Sequence, residues 1–290
     1  MTKNDLGVQP LSEAIGVDIT GIDFREEVDE PTAKRLRDLL AQHSVLRFRG
    51  QKLSTEDQVR ALGYFAPVTP NPAGNLFALV SNKEQDASVP FGRLPFHSDL
   101  MWTGHPLEIT SLYGIELEQP VESTTFASTL SPYRKLDAEL QAELADLVAF
   151  NVNDASPFRK GHLDPDILHI EREGAPEGAE HPVVMRHPRS GAPLLTVSEM
   201  MTKEIRGVAA PRSEELLDAL FALMYAPENL YEQQWEIDDF VIWDNFGAQH
   251  GRPNVSATGN VRTLRKVNAG GAVMNFKGTY TAAGSSGAMM

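Results

Sequence analysis

The chain has 290 residues, 41% of them apolar and 23% charged, which permits a packed core and argues against disorder. Its formal net charge of −14 argues against phosphate-rich partners, nucleic acid and anionic membrane surfaces alike. The absence of cysteine excludes disulfides, thiolate nucleophiles and cysteine-ligated clusters, so any metal must rest mainly on His, Asp or Glu.

Residues 1–10 are polar and lack an apolar signal core, and no run of about 18 apolar residues occurs; a soluble, cytoplasmic chain is expected. Asp18-Ile19-Thr20-Gly21-Ile22-Asp23 alternates and reads as a strand. Residues 31–43 carry Ala33, Leu36, Leu39 and Leu40 at helical spacing behind Asp29 as a cap, and His43 ends that helix. Val45-Leu46-Arg47-Phe48 is a short strand closed by Gly50, and Ser54 with Asp57 opens a second helix. Residues 76–80 and 109–117 read as buried strands. Ser131-Pro132 starts a helix with Leu136, Leu140, Leu144 and Leu147 on one face.

The second half is richer in strands. Val183-Val184-Met185-Arg186 and Leu194-Leu195-Thr196-Val197 flank Pro188-Arg189-Ser190-Gly191, a hairpin signal that includes His187. Residues 213–224 form a helix. Residues 231–235 and 240–243 flank Asp238-Asp239, which predicts another hairpin, and 261–267 is a late strand. The pattern is mainly β with flanking helices. It suggests one domain over 1–290, a double-stranded β-helix (jelly roll, cupin-like) enclosing a small site. Residues 153–181 lack periodicity and read as a lid or loop insertion, and 272–290 as a frayed tail.

His97-Ser98-Asp99, followed far downstream by His250 and Arg262, carries the chemistry. Two imidazoles and a carboxylate can cover one face of an octahedral metal and leave three positions open, which favours Fe(II) in an oxygenase. An arginine beyond the second histidine can grip the free carboxylate of an oxo-acid through two parallel hydrogen bonds. The His-x-Asp pattern is permissive and occurs again as His162-Leu163-Asp164. That copy sits in the aperiodic stretch and reads as a solvated turn. His97 instead lies between Pro95-Phe96 and Leu100-Met101-Trp102, an apolar wall against water. His105, His169 and His181 read as loop or surface residues.

The chain resembles the taurine dioxygenase and 2,4-dichlorophenoxyacetate dioxygenase family of Fe(II)/2-oxoglutarate-dependent oxygenases over about residues 8–271. The resemblance runs in order through Gly16-Val17-Asp18-Ile19-Thr20-Gly21-Ile22-Asp23 and Val45-Leu46-Arg47-Phe48-Arg49-Gly50-Gln51. It continues through Phe96-His97-Ser98-Asp99, His187-Pro188-Arg189-Ser190-Gly191 and Trp243-Asp244-Asn245. It implies that His97, Asp99 and His250 bind Fe(II) and that Arg262 pairs with the distal carboxylate of 2-oxoglutarate. It implies too that a threonine of Glu122-Ser123-Thr124-Thr125-Phe126, Thr124 before Thr125, contacts the oxo-acid.

By the same resemblance Lys266, four positions past Arg262, and Arg93 are substrate contacts. Strand alternation points Arg262 and Lys266 to one side and Arg265 to the other. The implied reaction consumes O2 and 2-oxoglutarate and releases succinate and CO2. It hydroxylates, desaturates or oxidatively cleaves a small organic substrate, with anionic molecules among the candidates. A homo-oligomer, dimer or tetramer, is implied, with no nucleic-acid or membrane partner. Two other readings remain open: a zinc-type metallohydrolase on the same ligands, and a non-catalytic oxo-acid-binding protein.

Overall fold

The structure, a computed structural model, describes residues 6–71, 73–158, 166–273 and 277–282, the last span by its backbone alone. In chain order the elements are β1 (Gly7–Pro10), β2 (Val17–Thr20), α1 (Glu30–His43), β3 (Val45–Phe48), α2 (Thr55–Gly63), β4 (Val68–Thr69), β5 (Ala78–Ser81), β6 (Gly92–His97), β7 (Ile109–Leu117) and β8 (Thr124–Ser128). They continue with α3 (Leu130–Lys135), α4 (Ala138–Leu144), β9 (Val148–Asn151), β10 (Leu168–Glu173), β11 (Ala179–Pro182), β12 (Val184–Arg186), β13 (Pro193–Leu195) and β14 (Thr202–Arg206). Last come α5 (Ala210–Met224), β15 (Leu230–Gln233), β16 (Phe240–Asp244), β17 (Ala248–Val255), β18 (Arg262–Ala269) and β19 (Lys277–Ala282).

Two sheets face each other. The major sheet runs β1-β2-β3-β16-β7-β18-β4, with β5 also paired to β18, and the minor sheet runs β15-β8-β17-β6. Between them lie Val45, Leu112, Val241, Trp243 and Leu264 from the major sheet and Phe126, Tyr231 and Ala248 from the minor one. The opposite face of the major sheet buries Leu46, Phe48, Phe240 and Ile242 against Leu36 and Leu40 of α1 and Leu62 of α2. This is a jelly roll with helices packed outside.

Local chemistry explains the helix starts. The Asp29 side chain accepts from the Thr32 amide, and Ser54 with Asp57 forms a reciprocal capping box. β3 and β7 fall where the apolar runs place them. The helix expected from Ser131 is instead two. Leu136 is extended (φ −68°, ψ 140°), and Asp137 caps a new helix by accepting from the Leu140 amide. The strand expected over 76–80 begins at Ala78, leaving Leu76 and Phe77 exposed.

The hairpin expected at Asp238-Asp239 does not exist. β15 pairs with β8 and β16 with β3 and β7, so the chain crosses there from the minor to the major sheet. Asp238 adopts a φ of 68°, and the turn exchanges backbone hydrogen bonds with Gly114 of β7. Within the span read as a frayed tail, β19 pairs with β10. Of residues 153–181, the described part holds β10 and β11, and β10 lies beside β6, with Arg93 bridged to Ile167. His169 is on β10 beside Asp154, and His181 on β11 faces the Thr103 carbonyl, so both are half-buried strand residues where loop or surface residues were expected. His162-Leu163-Asp164 lies outside the described residues.

Candidate metal centre and co-substrate pocket

The minor sheet positions two of the three candidate ligands. His97 ends β6 and His250 sits within β17, and the two are direct partners across the antiparallel pair, with ring centroids 4.2 Å apart. Asp99 follows in the turn after β6. Among the described residues His97, Asp99 and His250 form a group whose candidate ligand atoms all lie within 4.8 Å of one another. His97 Nε2 is 3.8 Å from Asp99 Oδ1, while His97 Nδ1 donates to the Pro95 carbonyl at 2.9 Å. That bond fixes the tautomer and turns the Nε2 lone pair toward Asp99.

Electrostatics favours a cation here. Burial holds both imidazoles below their ordinary range, well below it for His250, and the Lys266 ammonium adds to the lowering while Asp99 opposes it. They are therefore neutral lone-pair donors. Burial would raise Asp99, but the Lys266 ammonium outweighs it and holds the carboxyl well below the usual carboxylate range. Lys266 Nζ donates to Asp99 Oδ2 at 2.6 Å, the oxygen other than the one nearest His97. His250 Nδ1 is buried with no hydrogen-bond partner, an orphaned ring nitrogen on one of the three residues of the group. Two neutral imidazoles, one ionised carboxylate and no thiolate suit a divalent first-row metal with open positions.

Next to this group is a second, cationic one. Arg262 is fully buried at the start of β18. Its Nε donates to the Glu122 carbonyl (2.9 Å) and its Nη2 to Thr124 Oγ1 (3.1 Å). Trp235 Nε1 donates to the same hydroxyl at 3.0 Å. Arg252, two positions after His250, is buried with its guanidinium on the carbonyls of Phe91 and Gly92. Burial lowers Arg262 to about 10 and Arg252 to about 9, the latter also through Arg262, with Glu122 opposing both shifts. Two guanidiniums against the single carboxylate of Glu122 leave a positive excess, which an anion would neutralise.

The strand alternation expected for β18 holds. Arg262 and Lys266 face the site, whereas Arg265 turns to α2 and donates to the Gln58 and Thr55 side chains and to the carbonyls of Leu53 and Ser54. Of the two threonines, Thr124 meets Arg262, while Thr125 lines a groove of about 210 Å³ on the outer face of the minor sheet. Arg93 also lines that groove. Its guanidinium faces Glu199 at 3.4 Å.

Sequence reasoning gave no role to several residues that build the site. Arg252 was readable, since even spacing from His250 on a strand puts both on one face. Trp235 and Asn245 had no such signal, because they act across the fold. Asn245 bonds Asp99, and Asp244 takes hydrogen bonds from His187 Nε2 (2.9 Å) and from Arg189. His187 is thus a buried partner of Asp244 as well as a hairpin residue.

Comparison with known proteins gives the family. Residues 7–267 match the family described as "Taurine catabolism dioxygenase TauD, TfdA family". The chain is 29% identical over 282 residues to an alkylsulfatase of Acinetobacter baylyi, covering 92% of this chain and 86% of that protein. It is 28% identical over 280 residues to an alpha-ketoglutarate-dependent sulfate ester dioxygenase of Pseudomonas putida, covering 93% and 91%. The fold is similar to that of a taurine dioxygenase from Burkholderia xenovorans, with a TM-score of 0.74 at 23% identity over 92% of this chain and 89% of that one. A match spanning nearly the whole chain, on a jelly roll carrying a His-Asp-His group, places the protein in the TauD, TfdA dioxygenase family.

Proposed function

We propose that His97, Asp99 and His250 hold the Fe(II) of a 2-oxoglutarate-dependent dioxygenase, and that Arg262 and Thr124 hold the distal carboxylate of the oxo-acid. The observation that carries this reading is the convergence of a facial ligand set with a buried arginine–threonine pair. When bound, Fe(II) with 2-oxoglutarate and O2 supplies the oxidising power, splitting the oxo-acid to succinate and CO2 while a substrate C–H bond is oxidised.

The remaining work belongs to this chain's residues. Thr124 Oγ1 accepts two N–H groups, which fills its acceptor capacity, so its own proton is left to donate to an anion. Arg262 adds charge and direction to that contact. Leu94, Met101, Trp102, Leu168, Ile170, Met200 and Met201 form a buried apolar cluster beside the ligand turn, and it keeps water from the reacting groups. A zinc-type hydrolase on the same ligands would leave Arg262 and Thr124 without a task.

We read the substrate as a small organic anion. Lys266 already bonds Asp99, and its other N–H groups can reach a sulfate, sulfonate or carboxylate. The relatives named for alkylsulfates and sulfate esters favour the sulfate, for which oxidation at the carbon bearing the ester oxygen would cleave the molecule. Residues 153–181 act as a lid in this reading, and the protein is a cytoplasmic dimer or tetramer without nucleic-acid or membrane partners. A ferrous centre suits a reducing compartment, and a charge of −14 repels polyanions. No helix among the described residues is long and apolar enough to cross a membrane.

Anaerobic addition of Fe(II) and 2-oxoglutarate should give a weak visible charge-transfer band that His97→Ala abolishes. Succinate release should then rise with one member of a panel of alkyl sulfates, sulfonates and aryloxyalkanoates. A band unchanged in His97→Ala, or turnover without O2 and oxo-acid, would overturn the assignment.

A further inference from the structure

The Asn245 side chain makes three hydrogen bonds, and two of them clasp one residue. Its Oδ1 accepts the Asp99 amide N–H at 2.7 Å, and its Nδ2 donates to the Asp99 carbonyl and to the Leu107 carbonyl, each at 2.9 Å. The side chain is fully buried. We propose that Asn245 is a positioning residue for the metal centre, a carboxamide clamp that fixes the main chain of Asp99 relative to the strand bearing His250. The inference rests on the reading of His97, Asp99 and His250 as ligands.

The geometry argues for a specific need. His97 and His250 are held in register by the β6–β17 ladder, but Asp99 lies beyond the end of β6 and has no such support. The next residue, Leu100, sits at φ 59°, a left-handed conformation that strains a branched apolar residue and persists only where neighbours enforce it. Asn245 supplies that enforcement from the far side of the turn. Because it grips both the N–H and the C=O of Asp99, it fixes the position and tilt of the peptide from which the carboxylate projects. Because it is neutral and bonds only backbone, it leaves the carboxylate charge for the metal.

The clamp itself is anchored. The Asn245 amide donates to the Glu108 carbonyl at 2.9 Å. The preceding Asp244 accepts from His187, from Arg189 and from the amides of Phe246 and Gly247. The segment that delivers His250 five residues later is therefore the same rigid turn that holds Asp99, residues separated by 151 positions in the chain.

The test measures Mn(II) affinity of the full-length apoprotein from the free-ion EPR signal, so no turnover is required. Asn245→Ala and Asn245→Asp are both expected to weaken Mn(II) binding by roughly 10- to 100-fold, the range found for outer-shell partners. Asn245→Asp keeps an acceptor for the Asp99 amide but loses both donations. Asn229→Ala removes another buried asparagine, one that donates to the Ser128 and Met224 carbonyls, and should leave affinity unchanged at a similar loss of thermal stability.

His97→Ala separates the two ideas. If it too leaves Mn(II) binding intact, the ligand reading fails. If it abolishes binding while the Asn245 variants bind normally, or bind no worse than Asn229→Ala, the clamp fails. Should the Asn245 variants not fold, hydrogen exchange in the unaltered apoprotein decides: a protected Asp99 amide supports the clamp, and exchange at an open-loop rate overturns it.

Discussion

Replacing Thr124 by Val keeps the shape of a buried side chain and removes one oxygen. That oxygen accepts from Arg262 Nη2 at 3.1 Å and from Trp235 Nε1 at 3.0 Å, and in the proposed complex it donates to the oxo-acid. Losing a hydrogen bond to a charged group costs about 1.5–3 kcal/mol, and the two stranded N–H donors cost on the order of 1–3 kcal/mol each in stability. With about 1.4 kcal/mol per factor of ten, 2-oxoglutarate should bind roughly 10- to 100-fold more weakly. The loosened Arg262 pushes in the same direction. The assay is anaerobic titration of the Fe(II) protein with 2-oxoglutarate, followed by its visible band. Thr125→Val is the matched control. Thr125 faces the outer groove, so its affinity should stay within about twofold, the range of ordinary surface substitutions. An undiminished affinity in Thr124→Val, or an equal loss in Thr125→Val, would refute the reasoning.

Two further outcomes follow from groups away from the ligands. Burial opposes ionisation of Asp244, yet the His187 hydrogen bond and the Arg189 charge outweigh it and hold the carboxyl below its ordinary range. A depressed folded value stabilises the protein above the unfolded carboxylate range, about pH 4, and that stability disappears as pH falls through the folded value. Urea unfolding of Asp244→Asn should therefore show a flatter acid limb and a loss of about 3–5 kcal/mol at neutral pH; an unaltered pH slope would count against the pairing. Gly114→Ala would place a Cβ 2.7 Å from the Glu236 carbonyl and should cost about 1–3 kcal/mol through overpacking, so an unchanged thermal midpoint would contradict the close approach of β7 to that turn.

Much of the scaffold was legible where local signals agree. The apolar run Val45–Phe48, the nine-residue strand Ile109–Leu117 and the Ser54–Asp57 capping box needed nothing beyond neighbouring residues. Alternation alone sorted Arg262 and Lys266 from Arg265, because period two holds through most of β18. What the sequence concealed was the choice of partner. Asp238-Asp239 looks like a hairpin turn, but whether two strands pair with each other or with strands of different sheets depends on residues more than 100 positions away. The leucine spacing over 136–147 conceals a break because Asp137 competes for the helix start. At the site, the motif His97-Ser98-Asp99 with His250 and Arg262 was visible, and Arg252 was readable from its even spacing to His250, while Trp235 and Asn245 were hidden because their partners Thr124 and Asp99 meet them only in the fold.

Arg265 ties β18 to the start of α2 through four acceptors, on the face turned away from the proposed oxo-acid site. That attachment works as a stop against sliding. A strand bearing Arg262 and Lys266 on one face could shift by two residues and still present side chains inward, but Arg265 would then miss every one of its acceptors. Depth calibration of the cationic socket is thus outsourced to a remote helix, and disturbing α2 should blunt discrimination between dicarboxylates of different length well before the barrel melts.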